Sequence, residues 1–262
     1  MKKSLQHNHL DRSKYGLVEL PVVEYGGLVW ISATSDKPID IQHYLGAVGD
    51  NLVHFGVADH LSFRKSTIVK HTNWKLLIKT YLEGYHVPFL HKNTLANAFR
   101  KGVIAHTECG SHIRLAAART NILDVLSVER EKWRILDYAS VYYSIFPNTF
   151  FIMHPDYVSL NIFHPEAPNR TVWTHEMFYK PEHFEGDKGQ EALARRFEYT
   201  NDVVFNDEDF AIAERVQEGL RYGSNKHHTL GLEEGLIGIF QRNIDDALCD
   251  KTVVPLKSVC PQ

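Results

Sequence analysis

Apolar positions change their period several times along the chain, and each change marks an element. Residues 17–33, LVELPVVEYGGLVWISA, read as two short strands broken at Pro21 and turned at Gly26-Gly27. Residues 61–72 form a further strand that leads into Asn73-Trp74-Lys75. From Trp74 to about His86, Leu76, Leu77, Thr80, Tyr81 and Gly84 follow helical spacing. Pro88 disfavours the α conformation at Val87, so that helix is expected to end or kink there. The middle is strand-like over 111–120, 140–153, 157–165 and 170–180, with turn signals at Pro147-Asn148, His154-Pro155-Asp156 and Pro165 to Asn169. Residues 182–202 are charged and helical in pattern. Residues 206–220 place Phe210, Ala213, Val216 or Gln217, and Leu220 on one helical side, with Asn206 or Asp207 expected as N-cap. Residues 233–248 read as a long amphipathic C-terminal helix. Consecutive strands with tight turns favour an antiparallel sheet. The fold class is therefore α+β, one curved antiparallel sheet packed by helices.

Composition narrows the function classes. The 262 residues carry 44% apolar and 23% charged side chains, ordinary for a globular chain. A net charge of −3 gives no broad positive field for nucleic acid or anionic lipid. No apolar run follows the N-terminal lysines, and none approaches the ~20 residues of a membrane span. A cytoplasmic protein is the expectation. The unusual count is 16 His against 3 Cys. Three cysteines neither staple a secreted fold nor build a four-thiolate metal site. A bound metal would rest on imidazole and carboxylate.

The densest group of such residues is Glu83-Gly84-Tyr85-His86-Val87-Pro88-Phe89-Leu90-His91. On an ideal helix residues five apart lie about 140° apart, so His86 and His91 would not share a face. A helix end near Pro88 lets His91 fold back beside His86, while Glu83 and His86 do share a face. Two imidazoles and one carboxylate with open positions suit non-haem Fe(II). The best source of the third ligand is the acidic run Asp207-Glu208-Asp209. The same donors also suit zinc, which leaves a hydrolytic site as a rival.

Asn73-Trp74-Lys75, Leu82 to His86, and His91 resemble the catalytic signature of Rieske non-haem iron ring-hydroxylating oxygenases, α subunit. The later run Glu208-Asp209-Phe210-Ala211-Ile212-Ala213-Glu214 resembles that family's E-D-x4-E segment. Asp11 to Ile31 resembles the stretch leaving the family's Rieske domain. Phe146-Pro147-Asn148 resembles its mid-sheet turn, and Glu234-Gly235 with Phe240 its C-terminal helix. The resemblance covers roughly residues 11–250. It implies a helix-grip fold of the START/Bet v 1-like kind. It makes residues 1–40 a remnant of the segment leaving a Rieske domain and 41–255 the catalytic domain. It implies Fe(II) on His86, His91 and Asp209. Glu83 would be the acid that bridges to a neighbouring subunit's cluster and orients His86. It further implies O2, a small apolar or aromatic substrate that is hydroxylated or oxidatively demethylated, and NAD(P)H electrons through a reductase or ferredoxin. The family's common trimer implies a homo-oligomer. The sheet aromatics Tyr142, Phe150, Phe151 and Phe163 are the expected pocket lining.

Two departures stand out. A Rieske [2Fe–2S] cluster needs two Cys and two His, in the family as Cys-x-His then Cys-x2-His. The chain has no Cys-x-His, and Cys109-Gly110-Ser111-His112 is a lone Cys-x2-His. The expectation is a truncated gene, a cluster on a separate Rieske protein, or an iron centre that works without one. A non-catalytic apolar-ligand binder of the same fold, or an inactive truncated remnant, is the rival of another class. The second departure is Lys79-Thr80, where many family members carry an acidic residue and Asn. Lys79 is expected to pair with Glu83 at i,i+4 and to weaken its bridging role.

Overall fold

Seven antiparallel strands form the frame, in the order β3-β9-β8-β7-β6-β5-β4. The structure, a computed structural model, describes residues 16–32, 38–223 and 227–249. The N-terminal lysine stretch, Asp11 to Tyr15 and Cys260 lie outside the described residues. The strands are β3 (Leu61–Lys70), β4 (Phe99–Cys109), β5 (His112–Arg119), β6 (Ala139–Ile145), β7 (Thr149–Met153), β8 (Tyr157–Ala167) and β9 (Arg170–Tyr179). A separate hairpin, β1 (Val22–Tyr25) with β2 (Leu28–Ile31), turns at Gly26 and Gly27, both at positive φ. A side chain at Gly27 would also meet the Ala58 backbone at 2.5 Å, so that turn admits only glycine.

Both faces of the sheet are covered, which is why its central strands read as near-continuous apolar runs. One face carries Ile113, Leu115, Phe150, Ile152, Phe163 and Trp173. It packs on Leu77, Ile78 and Leu82, on Phe205 and Phe210, and on Leu236 and Phe240. The alternate residues Val141, Tyr143, Phe151, Met153 and Val158 face the other way. They meet the hairpin and two short helices, α1 (Ile41–Leu45) and α2 (Ala47–His54). The helices α1 and α2 and the edge strand β4 carry no strong pattern in the sequence. β4 is mostly exposed and holds Arg100, Lys101 and Gly102, so its side chains do not alternate cleanly.

Two expected helices differ from the structure. The helix predicted from Trp74 to His86 is α3 (Trp74–Lys79) and stops at Lys79. Beyond it Tyr81 and Leu82 make tight i→i−3 bonds, and the Thr80 hydroxyl occupies the Leu77 carbonyl at 2.8 Å. The chain turns through Glu83 to Tyr85 and restarts as α4 (Val87–Leu90), with Pro88 in its first turn, where a missing N–H is harmless. The second difference lies at Asn206 and Asp207, which cap nothing. After a short helix α5 (Ile135–Tyr138), α6 (Gly186–Glu198) runs on through a π-helical stretch, Tyr199–Phe210, into α7 (Ala211–Arg221). Within that continuous helix Asn206 accepts from Lys70 Nζ at 3.1 Å and donates to Asp207 at 2.7 Å. The C-terminal helix is α8 (Gly235–Leu248), close to the predicted span.

Candidate metal centre

Three elements bring the candidate donors together. Asn73 caps α3 by accepting from Lys75 N at 3.0 Å, while its own N–H donates to Gln217 of α7 at 2.9 Å. The Asn-Trp-Lys motif thus ties α3 to the helix that carries Asp209. Trp74 stands edge-on to Phe240 of α8 at 6.0 Å. His86 occupies the N-cap and His91 the C-cap of α4, with ring centroids 5.1 Å apart. Pro88 therefore separates the two imidazoles by one short turn, as the spacing predicts, although the preceding helix has already ended.

Asp209 reaches the pair from the π-helical stretch. Buried residues there are Thr200 and Asn201, Val204 and Phe205, then Asp209 and Phe210. The inward face recurs every four to five residues rather than every 3.6, as a wider turn requires. That wider turn keeps Phe210 in the core and Asp209 facing the histidines. Asp209 Oδ1 lies 3.0 Å from His91 Nε2 and 3.4 Å from His86 Nε2. One ligand atom from each of the three lies within 4.8 Å of the others. Donors about 2.1 Å from a common metal on one octahedral face would stand about 3 Å apart, close to the two separations measured from Asp209.

The other imidazole nitrogens are also held by carboxylates. His86 Nδ1 makes a short hydrogen bond to Glu83, whose second oxygen accepts from His86 N at 3.1 Å. His91 Nδ1 donates to Glu208 Oε2 at 2.7 Å, and Thr94 donates to the same oxygen at 2.8 Å. Both rings are thereby fixed with Nε2 aimed at the shared centre. Burial alone would hold His86 neutral. Hydrogen bonds to Asp209 and Glu83 outweigh it and push its pKa up to about 9. His91 moves upward too, with burial opposed by Asp209 and Glu208. Three carboxylates around two imidazoles create a site that favours positive charge, as a dication would supply. In the sequence Glu208 stands out only as part of the acidic run 207–209, and Thr94 not at all. The available signal was the acidic residue directly before Asp209.

A cavity of about 180 Å³ opens beside these donors. Tyr81, Leu115, Tyr142, Ile152, Val204 and Phe205 give it a mainly apolar wall. The Tyr81 hydroxyl is buried without a partner there, and burial next to Asp209 raises its pKa well above normal. Of the four predicted lining aromatics only Tyr142 reaches the cavity. Phe151 points to the opposite face of the sheet, as alternation demands. Phe150 and Phe163 sit behind Tyr81 in the core, Phe150 stacked on it at 4.6 Å.

Two further expectations are corrected. Lys79 does not pair with Glu83. The helix ends between them, and Lys79 Nζ instead donates to Gln241 of α8 at 3.2 Å. His112 of the lone Cys-x2-His is committed elsewhere. Its Nε2 donates to Tyr44 O at 2.7 Å and its Nδ1 accepts from Phe146 N at 3.0 Å, so neither nitrogen is left for a cluster.

The fold is of the helix-grip kind, and His86, His91 and Asp209 form its candidate metal site. The model for the ring-hydroxylating α subunit, catalytic domain, matches residues 57–250, and the chain belongs to that family of Rieske non-haem iron mono- and dioxygenases. These enzymes use a mononuclear iron and a Rieske [2Fe–2S] cluster. Over 85 residues the chain is 31% identical to the glycine betaine monooxygenase oxygenase subunit of Chromohalobacter salexigens, covering 32% of this chain and 19% of that one. The quaternary ammonium Rieske monooxygenase CntA, solved with L-carnitine, superposes with TM-score 0.71 at 20% identity, over 91% of this chain and 63% of that one. Naphthalene 1,2-dioxygenase from Rhodococcus superposes with TM-score 0.60 at 14% identity, over 94% and 70%. The chain thus spans about a fifth of the curated relative and under two thirds of CntA.

Proposed function

We propose that His86, His91 and Asp209 hold Fe(II) and that the chain is the catalytic part of an O2-dependent oxygenase. One observation carries this reading. Two Nε2 atoms and Asp209 Oδ1 converge while both Nδ1 atoms are tied to carboxylates. When bound, the iron supplies O2 activation at its open positions. The chain supplies the rest. Glu83 and Glu208 fix ring orientation and raise ligand basicity. The apolar wall keeps water from the reacting centre and seats a small substrate with an apolar or aromatic body. Hydroxylation and oxidative demethylation both suit that arrangement.

The three cysteines lack any Cys-x-His spacing, so the cluster comes from outside these residues. Electrons would then arrive from NAD(P)H through a reductase or ferredoxin and a Rieske cluster on another polypeptide or another part of the protein. Glu83 is the bridging acid in this reading. Each of its oxygens keeps a second lone pair beyond its bond to His86, so it can accept from a donor on a neighbouring subunit. A homotrimer, a cytoplasmic location, and residues 1–40 as the segment leaving a Rieske domain complete the proposal, with 41–255 as the catalytic domain.

The test is metal content after anaerobic loading with Fe(II). The wild-type chain is expected to retain close to one iron, and His86→Ala and Asp209→Ala to fall to background. Unchanged iron in both variants sinks the ligand set. Zinc retained in preference to iron from cells supplied with both favours the hydrolytic rival.

A further inference from the structure

The cavity has a second polar end, on the sheet. Leu115 and Ala117 of β5 line it, and Arg119 follows two residues later on the same side of that strand. Ser140 and Tyr142 of β6 stand opposite Ala117 and Leu115. Ile152 of β7 stands opposite Tyr142, and His154 follows two residues on and lines the cavity with Tyr157. Register therefore gathers Arg119, Ser140, His154 and Tyr157 at one corner of the sheet wall.

That corner is incomplete as a hydrogen-bond network. Arg119 Nε and His154 Nε2 are both buried with no partner among the described residues. Arg119 gives one bond, from Nη2 to Ser140 Oγ at 3.2 Å, and no carboxylate pairs with it among the described residues. Its neighbour Arg196 differs, since Asp156 neutralises it at 2.5 Å. Burial, then the charges of Arg119, Arg196 and His175, hold His154 neutral, with its pKa lowered to about 3. A neutral imidazole keeps one ring proton, which it can present from Nε2. A half-buried cation without a counter-ion, its Nε fully buried, and a second unpartnered nitrogen call for an anionic acceptor, since leaving such groups unsatisfied is costly. The guanidinium fork matches a carboxylate best.

We propose that Arg119 and His154 form a carboxylate subsite, so that the substrate is a small monocarboxylic acid with an apolar body. This rests on the oxygenase reading of the same cavity. The acid group is held at the sheet, and the body crosses Leu115, Ile152, Val204 and Phe205 toward His86, His91 and Asp209. Arg119 and His154 set specificity and touch no reacting atom.

The test is calorimetric titration of the metal-free full chain with benzoate, phenylacetate and 4-methoxybenzoate, each against its primary amide. At least one acid is expected to bind about 10- to 100-fold more tightly than its amide. Arg119→Met should erase that preference. His154→Leu should reduce it about tenfold, and Arg119→Lys should keep part of it. Thermal melts identify any variant that fails to fold, and the remaining variants then decide. Equal binding of acids and amides overturns the subsite. So does the absence of acid binding at about 10 mM, or a preference unchanged in every folded variant. Iron loading is scored separately. Acid preference without iron uptake defeats the oxygenase reading, whereas iron uptake without acid preference defeats only the subsite.

Discussion

The helical wall of the cavity and the sheet each hold two histidines, half-buried or buried, whose pKa values are pushed in opposite directions. On the helical wall His86 and His91 face Glu83, Glu208 and Asp209, and their affinity for a proton rises. On the sheet wall burial holds His154 and His175 neutral, at about 3 and about 4. His175 lies between rings, parallel to Trp173 and Phe197, and donates to Asn201 at 2.9 Å. Burial acts the same way on all four. The carboxylates raise His86 and His91, while the charges of Arg119 and Arg196 push His154 further down, so the placement of three acidic side chains decides which imidazoles attract a cation.

The largest way to break that contrast, short of removing a ligand, is to remove a supporting carboxylate. Glu208→Gln keeps the shape but withdraws the charge that faces His91 Nδ1. Metal affinity is expected to fall about 10- to 100-fold, the usual effect of losing a ligand's outer partner. Competition with a metal-buffering chelator measures it. An affinity within twofold of wild type would show that Glu208 only packs.

The next test uses pH. His154 and His175 have folded pKa values below the free-imidazole value of 6.5. The unfolded chain then binds protons that the folded chain refuses. Their stabilisation is complete above about pH 6.5 and is lost as pH falls toward 4 for His175 and toward 3 for His154. In the metal-free protein His86 acts the other way, because its folded value of about 9 lies above 6.5. Its contribution is complete below pH 6.5 and is lost as pH rises through 9. His154→Leu removes one proton-refusing group. Between pH 7 and pH 5 the variant should therefore lose about 2 kcal/mol less stability than wild type, by urea unfolding. Parallel curves would mean that His154 does not stay neutral in the fold.

The sheet wall was more legible in the sequence than the helical wall, for physical reasons. Alternation and turn residues locate β5 to β9 because strands covered on both faces must be apolar throughout. The edge strand β4 escapes notice because most of its side chains face solvent. The Glu83-to-His91 group stands out by composition, and Pro88 gives the turn that joins its histidines. The π-helical stretch escapes because its inward face recurs at a spacing that helical periodicity does not seek. Asn206 and Asp207 consequently read as a helix start. Glu208 reads only as one of three acidic residues that could supply a ligand until the fold places it against His91. The partners of Lys79 and His112 come from α8 and from Tyr44, contacts that local spacing cannot reveal.

The smallest effect belongs to Lys79, and it asks whether the carboxylates of the helical wall act alone. Lys79 is the last residue of α3, and its ammonium donates to Gln241 of α8. Burial and the charge of Lys75 lower its pKa, partly offset by Asp245. Glu83 is already committed through both oxygens to His86. Lys79→Met should cost about 1 kcal/mol of folding stability, the net worth of one hydrogen bond. Gln241→Ala should then add little to it, because both changes remove the same contact. Iron affinity and the rate of electron delivery to the iron should stay within twofold of wild type. A tenfold rise in either quantity would place the Lys79 charge back on Glu83. The contrast between the two walls would then depend on a cation as well as on the three carboxylates.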